Sequence, residues 1–91
     1  MTLPNRRPNM TTDLIWKDKR YHLCVGYDPN GRPAECFLSG AKAGTDLDTL
    51  HDDAMIAVSK LLQSGADPKE LSQTFGGQSI IGAVAEEIAR L

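Results

Sequence analysis

The spacing of apolar positions changes once along this chain. Up to Ser39 they come in short runs rich in aromatic and β-branched residues, bounded by turn formers. Beyond Thr45 they recur every three or four residues. The first regime predicts strands. Thr11 to Ile15 leads into Trp16, Lys17-Asp18-Lys19-Arg20 reads as a turn, and Tyr21 to Tyr27 is a stronger strand. Asp28-Pro29-Asn30-Gly31-Arg32 then predicts a three-residue hairpin loop. Proline presets φ at the first central position, and Gly31 can take the left-handed conformation of a bulge. The chain returns through Pro33 to Ser39. If Asp28 faces Arg32, Cys24 lies opposite Cys36 and Leu23 opposite Phe37. One face then carries Tyr21, Leu23, Val25, Tyr27, Glu35 and Phe37. The other carries His22, Cys24, Gly26, Ala34, Cys36 and Leu38. The second face, made of smaller side chains, suits close helix packing. The first is left for a second subunit or a host protein, with Tyr21, Leu23, Val25, Tyr27 and Phe37 as the expected partner interface.

The second regime predicts helices. Thr45 is a capping residue with Asp48 three positions on, and Asp46 lies beside the positive end of the helix dipole. Leu47, Leu50, Ala54, Ala57, Val58, Leu61 and Leu62 form one expected stripe up to Ser64, with Gly65 as a left-handed stop. Asp67-Pro68-Lys69-Glu70 starts a short helix carrying Leu71 and Phe75, and Gly76-Gly77 breaks it. Ser79 opens a last helix with Ile81, Val84, Ala85 and Ile88 on one side. The expected architecture is α+β: a small antiparallel sheet, an N-terminal hairpin or meander, followed by two to three helices packed on one face. Residues 11–91 form the domain, and residues 1–10 are read as a flexible arm.

Composition narrows the function classes. A chain of 91 residues buries only about 60–65% of its unfolded surface, so the core is thin and a dimer partner would help cover it. A net charge of −2 supplies no overall drive toward nucleic acid or anionic membrane. No apolar run is long enough for a membrane span and no secretory signal pattern opens the chain, which leaves the cytoplasm as the expected compartment. Two cysteines fit a reducing environment.

Candidate chemistry is sparse. Cys24 and Cys36, if opposed, are either a redox pair or two small buried hydrophobes. Gly40-Ala41-Lys42-Ala43-Gly44-Thr45 could hold an anion with Lys42, Gly44, Thr45 and backbone amides, although it lacks the spacing of a phosphate-binding P-loop. Asp46, Asp48, Asp52 and Asp53 are read as complementing a helix dipole rather than as acid–base or metal groups, and His51 among them as an exposed histidine, with a general base as the alternative. No metal set or cofactor motif is present, and no Ser/His/Asp order. Arg6, Arg7, Lys17, Lys19 and Arg20 with Trp16, Tyr21 and Tyr27 could contact single-stranded nucleic acid, against the acidic balance of the helical part.

The run Val25-Gly26-Tyr27-Asp28-Pro29-Asn30-Gly31-Arg32-Pro33-Ala34-Glu35-Cys36-Phe37-Leu38 resembles the hairpin of the TSCPD domain, found at the C-terminus of vitamin-B12-dependent ribonucleotide reductases. Lys42-Ala43-Gly44-Thr45 is similar to that family's helix entry. Ser59, Leu61, Leu62, Gln63 and Gly65 are similar to its "S..LQ.G" segment. The resemblance implies an accessory domain without the reductase's radical, substrate or cobalamin sites, and it carries over no catalytic residue. The expectation is a non-enzymatic interaction domain, homodimeric or bound to a host protein, with a link to deoxynucleotide metabolism. The alternatives are a nucleotide- or anion-binding regulator and a single-stranded nucleic-acid-binding module.

Overall fold

A computed structural model describes residues 9–40 and 45–91. Strands β1 (Asn9–Trp16), β2 (Lys19–Tyr27) and β3 (Pro33–Ser39) form an antiparallel sheet in the order β1-β2-β3. Helices α1 (Asp46–Gln63), α2 (Pro68–Phe75) and α3 (Ile80–Arg90) follow. The α+β arrangement is the expected one. Asn9 and Met10, expected in the arm, belong to β1, where they pair with Gly26 and Val25; residues 1–8 lie outside the described residues.

The β1–β2 turn is tighter than the charged run suggests. Lys17 and Asp18 both have positive φ, at 50° and 64°, and β2 resumes at Lys19. Two consecutive left-handed residues match the twist of the flanking strands. The β2–β3 loop is organised by one side chain. The Asp28 carboxylate accepts from the amides of Asn30 and Arg32, both at 2.9 Å, while Gly31 sits at φ 80°.

Beyond that loop the expected register fails by one residue. Tyr27 pairs with Pro33 as expected, but Gly26 pairs with Glu35, Val25 with Cys36 and Cys24 with Phe37. A bulge at this step absorbs one residue of β3. The driving force is burial. Without the bulge, Glu35 and Phe37 would share a face with Leu23 and Val25, whereas with it Ala34, Cys36 and Leu38 do. Cys24 and Cys36 therefore lie on opposite faces and do not form the expected pair.

The helices cover the face that carries Leu14, Tyr21, Leu23, Val25, Cys36 and Leu38. Met55, Val58 and Leu62 of α1 and Ala83, Val84 and Ile88 of α3 complete one core. This corrects the expected interface: Tyr21, Leu23 and Val25 are the centre of the core, Tyr27 is half-buried, and only Phe37 is exposed, on the other face. The solvent-facing side of the sheet carries Thr11, Asp13, Arg20, His22, Cys24 and Phe37. No described helix is long and apolar enough to cross a membrane.

Helix ends follow the sequence closely. Thr45, Asp67 and Ser79 cap the three helices, accepting from the amides of Asp48, Lys69 and Gly82. Gly82 also marks a close approach, since a Cβ there would overlap the Gly76 carbonyl oxygen. Gly82→Ala is expected to lower stability by about 2 kcal/mol or more in urea unfolding. Gly77→Ala, whose Cβ meets only the Glu86 carboxylate at 3.9 Å, is expected to be tolerated.

Candidate functional site

Strand β3 is a sheet edge, and its outward backbone groups need partners. Helix α1 supplies them. Ser59 Oγ accepts from the Cys36 amide at 3.0 Å and donates to the Cys36 carbonyl at 3.4 Å. Gln63, one turn on, donates from Nε2 to the Ala34 carbonyl at 3.1 Å. These two residues stand four apart, on the side of the helix that meets the strand. Both belong to the "S..LQ.G" segment, so that pattern encodes a structural clamp. Its i, i+4 polar pair was visible in the sequence, but its partners were not, because they are a backbone amide and carbonyls of a distant strand.

Beside the clamp, β3 and α1 flank an open groove of about 530 Å³, apolar at Cys36, Leu38, Met55 and Ile56 and lined also by the charged Glu35, Asp52 and Lys60. Phe37 and Ile56 stand on its rim, 58% and 59% exposed. Cys36 is buried there, its Sγ 3.7 Å from Met55 Sδ. Burial pushes its thiol up to about 11, against the weaker opposing pull of the Ser59 hydrogen bond. The thiol therefore stays protonated at neutral pH and is a packing group.

On the open face the sheet aligns Asp13, His22 and Ser39 across its three strands. His22 Nδ1 lies 3.0 Å from Asp13 Oδ1, and Arg20 Nε lies 3.9 Å from Asp13 Oδ2. The residue types match a nucleophile, base and carboxylate, an alignment that reading along the chain misses because it exists only across strands. Among the described residues no hydrogen bond joins Ser39 to His22. The His22 and Asp13 side chains are 60% and 53% exposed, which keeps their interaction in water.

At the same end of the sheet, on its core-facing side, Trp16, Tyr21 and His51 form an aromatic cluster, with ring centroids 5.4 to 6.4 Å apart. Lys17 Nζ lies 4.9 Å from the centroid of the Trp16 ring. His51, expected on the surface, is 3% exposed. The core-facing line of α1 runs through His51, Met55, Val58 and Leu62, not through the expected stripe as a whole. Both His51 ring nitrogens and Trp16 Nε1 are buried without a hydrogen-bond partner among the described residues, which costs stability.

Of the expected anion site, Lys42 and Gly44 lie outside the described residues, and Thr45 Oγ1 already accepts from the Asp48 amide at 3.1 Å. Among the described residues no group of three or more His, Cys, Asp or Glu is placed to hold a metal ion.

Two outcomes test this geometry. Ser59→Ala is expected to cost about 1–2 kcal/mol and to accelerate hydrogen exchange at the Cys36 amide, because the half-buried edge loses its acceptor. Alkylation at pH 8 followed by mass mapping is expected to modify the half-buried Cys24 and leave Cys36 unmodified until the protein unfolds.

Comparison with known proteins gives the lineage. The sequence profile of the TSCPD domain matches residues 2–90. A vitamin B12-dependent ribonucleotide reductase of Rhodopirellula baltica is 35% identical over 73 residues. The match covers 80% of this chain and 7% of the reductase, so the chain corresponds to a small part of that protein. No solved structure matches the chain. A clamp built from family-pattern residues and a profile match over nearly the whole length agree: the chain belongs to the TSCPD domain family.

Proposed function

We propose that this chain is an accessory docking domain that acts by contact with a protein surface rather than by chemistry of its own, in the cytoplasm and in the service of deoxynucleotide metabolism. The observation that carries the reading is the split apolar surface of α1. His51, Met55, Val58 and Leu62 face the core, while Leu47, Leu50 and Leu61 are 39%, 65% and 38% exposed. Three leucines on one exposed helix are more apolar surface than solubility favours, and such surface marks a contact region. The polar side chains with the best geometry serve the fold: Asp28 shapes a loop, Thr45 caps a helix, and Ser59 and Gln63 hold an edge. The link to deoxynucleotide synthesis rests on kinship with a segment of a B12-dependent reductase.

The test is a titration against a vitamin B12-dependent ribonucleotide reductase from which the matching segment has been removed. Saturable binding is expected, weakened about tenfold or more by Leu50→Asp. The chain alone, supplied with ribonucleotide, adenosylcobalamin and a thiol reductant, is expected to form no deoxynucleotide. Turnover by the chain alone, or absence of binding to the truncated reductase, overturns the reading.

A further inference from the structure

The outward side of α1 has a pattern of its own. Leu47, Leu50, Ala54, Ala57 and Leu61 follow one another at intervals of three, four, three and four residues, the spacing of a helix-pairing seam. All but the half-buried Ala54 are exposed. The line is displaced about a quarter turn from the buried one, so the core leaves it uncovered among the described residues. One flank of the seam is closed by the core residues His51 and Val58. On the other flank, Asp53 and Lys60 immediately precede Ala54 and Leu61 and are exposed, and neither forms an ion pair among the described residues.

We infer that this seam pairs with the same helix of a second copy, antiparallel about a two-fold axis between Met55 and Ile56. The inference rests on the docking reading above and concerns the free chain, in which a second copy covers the seam until a reductase surface displaces it. In this register Ala54 meets Ala57 of the second copy, twice, at the centre. Leu50 meets Leu61 of the second copy at both ends. Small residues where the helices cross let the backbones approach, and the leucines close the seam on either side. The charges select the same register. Asp53 and Lys60 are seven residues apart on one flank, so the two-fold axis brings each against the other's counterpart, giving two reciprocal Asp–Lys pairs. Sliding the helices by one heptad toward their N-termini would set Asp53 against itself and leave Leu61 without an apolar partner. A parallel pair would carry Asp53 and Lys60 of the two copies to opposite sides of the interface, beside the other helix's Val58 flank, and would pair neither charge. Charge complementarity thus favours a second copy in one orientation.

Sedimentation equilibrium tests this. The wild-type chain is expected to be a reversible dimer, twice the 9.9 kDa of one chain. Asp53→Lys and Lys60→Asp each replace attraction by repulsion and are expected to weaken dimerisation roughly tenfold. The double variant carrying both changes restores the pairs and is expected to return to within about threefold of wild type. Both positions are exposed, and unchanged circular-dichroism melting of the monomers shows that the variants fold. A wild type that stays monomeric at submillimolar concentration, or a double variant no better than the single ones, overturns the proposal. A monomeric wild type that still binds the truncated reductase, and loses that binding through Leu50→Asp, overturns the second copy alone and leaves the docking reading intact.

Discussion

Two hydrogen-bonding side chains one helical turn apart tie α1 to the edge of β3, and much of the molecule's character follows from where that tie points the helix. Ser59 and Gln63 satisfy backbone groups of Cys36 and Ala34 that would otherwise be left open along a sheet edge. The same contact sets the rotation of α1 about its axis. With Ser59 and Gln63 toward the strand, His51, Met55, Val58 and Leu62 point at the sheet, and the Leu50 line points at solvent. A helix free to choose by apolar area alone would favour burying more leucine. The polar tie restrains it, because unsatisfied edge amides and carbonyls are costly and specific in position, while apolar burial is tolerant of rotation.

The bulge at β3 works with the clamp. It places Ala34, Cys36 and Leu38 under the helices and turns Glu35 and Phe37 outward. Cys36 then sits at the floor of the groove between strand and helix, against Met55, as a buried thiol whose backbone serves the clamp. Had the hairpin kept its simplest register, the strand would have offered Glu35 to the core, and the backbone groups now met by Ser59 and Gln63 would have faced β2. Loop, bulge and clamp form one dependent series.

This arrangement has a weak corner. Trp16 and Tyr21 each pack edge to face with His51 where β1, β2 and the start of α1 meet, and three polar atoms of the cluster are buried unpaired among the described residues. Aromatic contact offsets part of that loss. Such a corner is tolerable in a thin-cored chain only if the rest of the core is well satisfied, and Leu23, Val25, Val58, Val84 and Cys36 are almost fully excluded from solvent.

Turn and cap chemistry was legible from the residues alone, because it is local. Asp28, Gly31, Thr45, Asp67 and Ser79 act within a few positions of themselves, and each does what its type and spacing imply. The order of strands and helices followed from the change in apolar period. Kinship with the TSCPD family could be read from the hairpin and the Ser59-to-Gly65 segment. What one dimension could not decide was which face of each amphipathic element turns inward. The β3 run Pro33 to Ser39 is apolar enough on both sides to accept either register, and α1 carries enough apolar residues for two stripes. Only three-dimensional packing, where one extra residue in a strand and two hydrogen bonds across a helix–sheet seam compete with buried area, chose between them. That choice buried the expected partner face, exposed Phe37, and left Leu47, Leu50 and Leu61 on the outward side of α1.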